Sequence, residues 1–159
     1  MVQDGDREFD RVVREHFASV TAYARSATSR RALVEEAVQE TFVKAWRYWP
    51  TFRHESSVLS WLITICRRVI IDLVGKEHQL DVLPDDVIDT QDIVGPNAID
   101  DLISRLPLPQ REVIVLCAVL GFDYETAANT LGIPVGTVRS RLSRARETLA
   151  LQLDASRAV

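Results

Sequence analysis

Apolar positions recur along much of this chain at steps of three and four, the spacing of one buried helix face at about 100° per residue. The clearest run is Leu33, Ala37, Val38, Phe42, Ala45, Trp46 and Trp49, with Glu35, Glu36, Gln39, Glu40, Lys44 and Arg47 on the opposite side. Pro50 ends that helix, because proline cannot continue the backbone ladder. A second run, Leu59, Leu62, Ile63, Cys66, Val69, Ile70 and Leu73, predicts a helix capped by Ser56 or Ser57 and stopped at Gly75. A weaker pattern over residues 8–25 (Phe9, Val12, Val13, Phe17, Val20 and Tyr23) predicts a helix before both. Together they make a first helical module over residues 7–75.

The periodicity then fails. Residues 76–96 include LDVLPDDVIDTQDIVGP and read as a linker with little regular structure. A second module follows over residues 97–153. Asn97, with Asp100 three residues on, has the form of a capping box. Helices are predicted over residues 98–106 and 109–120, the latter with Pro109 in its first turn. Asp123 caps a short helix to Leu131, and Pro134 opens a last helix that reaches about Leu153. The fold class is therefore all-α, two small helical domains joined by a flexible acidic linker. Each is small enough to be marginally stable alone.

Charge sharpens this picture. The chain has 159 residues and a net charge of −4, which argues against a nucleic-acid partner until the charges are placed. Between Lys76 and Asp101 one lysine faces Glu77, Asp81, Asp85, Asp86, Asp89, Asp92, Asp100 and Asp101. Between Val135 and Leu149 the balance reverses, with Arg139, Arg141, Arg144 and Arg146 against Glu147. An acidic middle hides a basic end. No apolar run reaches membrane-spanning length, and the acidic N-terminus MVQDGDREFD lacks the core of a signal peptide, so a cytoplasmic protein is expected. Cys66 and Cys117 read as small core residues, and His16, His54 and His78 form no ligand spacing with them. No metal and no cofactor is expected. Without a glycine-rich phosphate loop or a nucleophile–base pair, an enzyme is not expected either.

The segment DYETAANTLGIPVGTVRSRLSRAR, Asp123 to Arg146, reads as helix, glycine turn, helix: a helix-turn-helix. In its second helix Val135, Val138, Leu142, Ala145 and Leu149 share one stripe. Gly136, Ser140, Ser143 and Arg144 lie opposite, flanked by Arg139 and Arg141. Small polar residues let such a helix enter the major groove, and arginine bonds a guanine edge or a phosphate. Thr137 at the helix start suits a phosphate oxygen. The plainer alternative is a surface helix with solvated arginines.

At this point the sequence resembles a known family, the extracytoplasmic-function (ECF) sigma factors of bacterial RNA polymerase. ISRLPLPQREVIVL and GFDYETAANTLGIPVGTVRSRLSRARETL resemble region four of that family. VEEAVQETFVKAW and FRHESSVLSWLITICRRVIIDL resemble region two. The likeness covers nearly the whole chain, with the blocks in family order. It implies that Glu36, Gln39, Glu40 and Val43 dock on the polymerase clamp, where a solvated helix face is the alternative. It implies that Phe52, Arg53, His54, Glu55, Ser56 and Ser57 form a loop capturing an unstacked minus-ten base, where an ordinary polar turn is the alternative. Arg67, Arg68 and Asp72 would contact the upstream edge of that element, with Trp61 beside them, though core packing suits Trp61 better. Thr137, Arg139, Ser140, Arg141, Ser143 and Arg144 would read the minus-thirty-five element. The implied partners are core RNA polymerase, through clamp and flap, promoter DNA, and an anti-sigma factor, with no membrane insertion. The tether would thread toward the polymerase cleft.

The chain departs from the family at three places. Arg68 stands where asparagine is usual, few basic residues follow Leu73, and Ser143 replaces a larger residue of some members. Two other readings stay open here. One is a stand-alone helix-turn-helix regulator, which leaves the first module unexplained. The other is a sigma-like inhibitor of polymerase.

Overall fold

The computed structural model describes residues 2–80 and 98–158, which form helices, turns and no strand. They fall into two compact units. The first holds α1 (Val2–Ala27), α2 (Arg31–Tyr48) and α3 (Val58–Leu80), with a 3₁₀ turn at Trp49–Thr51. Each of the three helices packs on both others. Val20, Tyr23 and Ala24 of α1, Ala37 and Ala45 of α2, and Leu62, Ile63, Cys66 and Val69 of α3 are fully buried between them. Each large aliphatic side chain there contributes roughly 1.5–3 kcal/mol by leaving water. Thr41 enters this core because its hydroxyl donates to the Ala37 carbonyl at 2.6 Å, so no polar group is stranded.

Four expectations for this unit are corrected. Trp46 is 55% exposed instead of buried, because one step beyond Ala45 carries it to the edge of the buried arc. Its indole Nε1 donates to Asp6 Oδ1 at 3.3 Å, tying the start of α1 to α2. Helix α1 accordingly starts at Val2, well before residue 8. Helix α3 does not stop at Gly75 but runs to Leu80, taking five residues expected in the linker. A mid-helix glycine costs about 1 kcal/mol relative to alanine, too little to end a helix that continues into Lys76 and Glu77. Phe42, expected in the core, is half-buried and stacks on Phe17 at 5.9 Å. The start of α3 agrees with its expected cap: Ser57 Oγ accepts from the Ser60 amide at 3.1 Å.

The second unit holds α4 (Ala98–Ser104), α5 (Leu108–Ile114), α6 (Tyr124–Leu131) and α7 (Val135–Arg157). Its core is Leu106, Val113, Leu116, Ala127, Val138, Leu142 and Ala145. Arg111 closes the α4–α5 turn by donating to the Leu106 carbonyl through Nε (3.3 Å) and Nη2 (3.0 Å). Burial pushes that guanidinium below its ordinary pKa. Helix α5 ends sooner than expected and continues as a π-helical turn, Val115–Val119, closed by the Leu120 amide on the Val115 carbonyl. This wide turn keeps Val115 and Leu116 inside and carries Val119 to the surface. The acidic residues 81–92 and the Asn97 cap lie outside the described residues.

Candidate nucleic-acid interface

The α2–α3 connection is built on aromatic rings. Pro50 tightens the chain into the 3₁₀ turn, where the Phe52 amide donates to the Trp49 carbonyl at 3.1 Å. Phe52 then stacks on Trp61 of α3, centroids 4.5 Å apart, and on Trp49 at 5.6 Å. His54 packs on Phe52 at 4.6 Å and on Trp49 at 5.9 Å. Its φ of 56° is left-handed backbone, which costs a non-glycine residue on the order of 1 kcal/mol and needs surroundings that enforce it. The four rings supply them. Arg53, His54, Glu55, Ser56 and Ser57 are all exposed on this loop.

In front of this loop lies a groove of about 580 Å³. Phe52, Arg53, Glu55, Ser56, Trp61, Arg68 and Asp72 all line it, so residues scattered over two segments converge. His54, Ser57 and Arg67 do not. His54 is exposed but packs on the Phe52 and Trp49 rings, Ser57 caps α3, and Arg67 is half-buried along α3. Lys44, Tyr48, Thr51 and Ile65 complete the lining, and sequence reasoning missed them. Lys44 and Tyr48, four apart on α2, carried a helical signal but nothing that aimed them at this loop.

One turn earlier on α2, Glu36, Gln39 and Val43 are exposed and Glu40 is partly so, opposite buried Val34, Ala37, Val38 and Thr41. Lys44 Nζ lies 3.8 Å from Glu40 Oε1, an exposed pair worth little to stability. This face is rigid, acidic and unpacked within its unit.

The second candidate surface is α7. The Asp123 carboxylate accepts from the Thr126 amide at 2.7 Å and caps α6, which holds that carboxyl below its ordinary pKa. Gly132, φ 66°, turns the chain, and Pro134 starts α7. Val138, Leu142 and Ala145 are buried, while Arg139, Ser140, Ser143 and Arg144 are exposed. Thr137 and Arg141 are half-buried at the margins. The Arg139 guanidinium sits 5.9 Å from the Tyr124 ring centroid, above a concavity of about 410 Å³ lined also by Asp123, Glu125 and Val135. Tyr124 was missed in the sequence, where it reads as a polar first-turn residue.

Comparison with known proteins decides what carries these two surfaces. The family model for Sigma-70 region 2 matches residues 12–79, and that for Sigma-70, region 4 matches residues 97–149. The ECF RNA polymerase sigma factor SigM of Mycobacterium tuberculosis is 32% identical over 152 residues, covering 92% of this chain and 78% of SigM. The chain belongs to the ECF sigma factors. The sigma factor RpoE of Bartonella quintana, solved in complex with the anti-sigma factor NepR, is 31% identical with a TM-score of 0.76, over 93% of this chain and 98% of that one. CnrH, solved with the cytosolic domain of CnrY, is 30% identical with a TM-score of 0.69, over 94% and 90%.

This sigma factor is thus a transcription initiation factor. Among its described residues no helix is long and apolar enough to cross a membrane. No group of three or more His, Cys, Asp or Glu among them could hold a metal ion. Its two thiols are free: burial pushes Cys66 up to about 11, against a smaller opposing pull from the Thr41 hydroxyl. Burial raises Cys117 as well, with Arg146 pulling the other way.

Proposed function

We propose that the two units of this sigma factor divide promoter recognition between them. Unit one docks on core RNA polymerase through Glu36, Gln39, Glu40 and Val43, a rigid acidic face suited to a basic helical partner. Its groove takes a melted minus-ten base: Phe52 and Trp61 form the wall, Ser56, Glu55 and Asp72 offer polar groups, and Arg53 and Arg68 attract phosphates. Arg68 at a usual asparagine position gives this groove a charged donor and a base preference of its own. His54, Ser57 and Arg67 act by shaping the loop and α3. Unit two places α7 in the major groove of the minus-thirty-five duplex, where Arg139, Ser140, Ser143 and Arg144 face base edges and Thr137 and Arg141 face phosphates. A second protein of the anti-sigma kind, as in the RpoE complex, is expected to hold the chain inactive. The place of action is the cytoplasm, and no catalysis is assigned to the chain.

The convergence of the loop and α3 on one groove carries this reading. A free chain of net charge −4 binds DNA weakly, and polymerase joins two weak sites into one strong one. The test is a variant panel on holoenzyme. Glu40→Lys is expected to lose co-elution with core polymerase. Arg68→Ala is expected to keep co-elution but lose permanganate-detected opening of the minus-ten region. Arg139→Ala is expected to weaken only promoters that depend on an upstream element. Normal opening by Arg68→Ala would remove the groove from promoter melting.

A further inference from the structure

The groove beside the loop holds an aromatic ring that its neighbours do not use. Phe52 and Trp61 are stacked on each other, and each packs against Trp49 as well, so much of their ring surface is already covered. Tyr48 stands differently. It is the last residue of α2, is 60% exposed, and pairs with no other ring among the described residues. Its neighbours along the lining include the cations Lys44, Arg53 and Arg68. Phe17 and Trp46 of the same unit are exposed to a similar degree, but of the three only Tyr48 lines the groove. Its main-chain carbonyl is engaged by the Thr51 hydroxyl at 2.8 Å, so the backbone that carries the ring is held while the ring faces solvent. An exposed aromatic face among cations is what a single strand of nucleic acid stacks on, base on ring and phosphate on cation.

We propose that Tyr48 is a second base platform of this sigma factor, stacking a non-template base next to the one the loop captures. This rests on the groove being the minus-ten site. The platform is tolerant of sequence, because every base presents a π-face. It therefore lengthens the lifetime of the melted strand without adding a base preference. Arg53 and Arg68 supply the flanking phosphate contacts, and Glu55 and Asp72 keep the groove from holding duplex backbone indiscriminately.

The test uses the full chain assembled with core polymerase on a promoter that it opens. 5-Iodouracil is placed singly at successive non-template positions across the minus-ten region, irradiated, and the cross-linked peptide is mapped. One position adjacent to the loop-captured base is expected to cross-link to Tyr48. Tyr48→Phe is expected to keep that cross-link and the open-complex lifetime. Tyr48→Ala is expected to lose the cross-link and shorten the lifetime by roughly 5- to 150-fold, the loss of one stacked base. Co-elution with core polymerase is expected to stay normal, since an exposed side chain is removed. A promoter opened normally by wild type, with no Tyr48 cross-link at any position and a Tyr48→Ala lifetime equal to wild type, overturns the platform and leaves the groove assignment standing. Tyr48→Phe failing as fully as Tyr48→Ala overturns stacking in favour of a hydroxyl contact. Failure of wild type to open any promoter removes the groove assignment and this inference together.

Discussion

Arg139→Ala is the substitution on which reading of the upstream duplex can be weighed. The side chain is exposed on α7, opposite buried Val138 and Leu142, so its removal leaves the core of unit two intact. No described carboxylate lies within ion-pair distance of it, so no buried partner is orphaned. Surface changes of this kind stay within about 0.5 kcal/mol of folding stability. A bidentate arginine–guanine contact discriminates by about 1–3 kcal/mol, roughly 5- to 150-fold in occupancy. The Tyr124 ring beneath the guanidinium contributes about 0.5–1 kcal/mol of that by holding it in place, as for exposed cation–π pairs. Tyr124→Ala is therefore expected to weaken the same contact by only about two- to five-fold. The assay is transcription by holoenzyme from a set of promoters differing at single upstream base pairs. Arg139→Ala is expected to flatten the response at one base pair and leave the others in their wild-type ranking. A uniform loss across all promoters, with the ranking unchanged, would make Arg139 a phosphate contact and refute the reasoning.

Arg141→Ala, at the half-buried margin of α7, is expected to give that uniform loss and to lower the salt dependence of promoter binding by about one counterion, measured by titrating salt. Leu142→Ala opens a cavity beneath α7 costing about 2–5 kcal/mol, so upstream recognition is expected to fail while co-elution with core through α2 persists; loss of both would contradict the division of labour. Asp123→Ala removes the α6 cap and is expected to lower the melting temperature by a few degrees. The folded carboxyl titrates below its ordinary value near 3.8, so the cap stabilises fully above that pH and is lost as pH falls through the lower folded value. The variant is expected to match wild type only in strong acid. A thiol reagent at pH 8 is expected to label half-buried Cys117 slowly but well ahead of Cys66, which burial holds at about 11 and which reacts only after denaturation; two equally fast thiols would contradict the packing of α3.

Helices α2 and α3 were legible because each buries a stripe, α1 less so because Phe17 in its expected stripe is exposed, and the helix-turn-helix was legible because Asp123, Gly132 and Pro134 mark its ends by local chemistry. Gly75 misled for a physical reason: a glycine ends a helix only where the backbone turns left-handed, as at Gly132 and Gly121, and Gly75 does not. Trp46 misled because hydrophobicity says nothing of which edge of a stripe is covered. The π-turn at Val115–Val119 depends on how α5 meets the rest of unit two, and no local signal marks it. For the candidate sites, the loop residues, most of which line one groove, were suggested by their resemblance to a family. Lys44 and Tyr48 were not, because they reach the groove from another helix, and that convergence exists only in three dimensions. Tyr124 escaped notice likewise, its partner Arg139 lying across the turn on α7.

The most direct measurement of the central claim is run-off transcription by bacterial core polymerase on pooled genomic fragments, with and without this chain, followed by mapping of every new start site. New transcripts are expected that share two sequence blocks, one at the melted region and one upstream, at constant spacing. No new transcript despite co-elution with core would mark an inhibitor built on the sigma fold. No transcript and no co-elution would contradict the account and leave unit two as the DNA-binding domain of a stand-alone regulator.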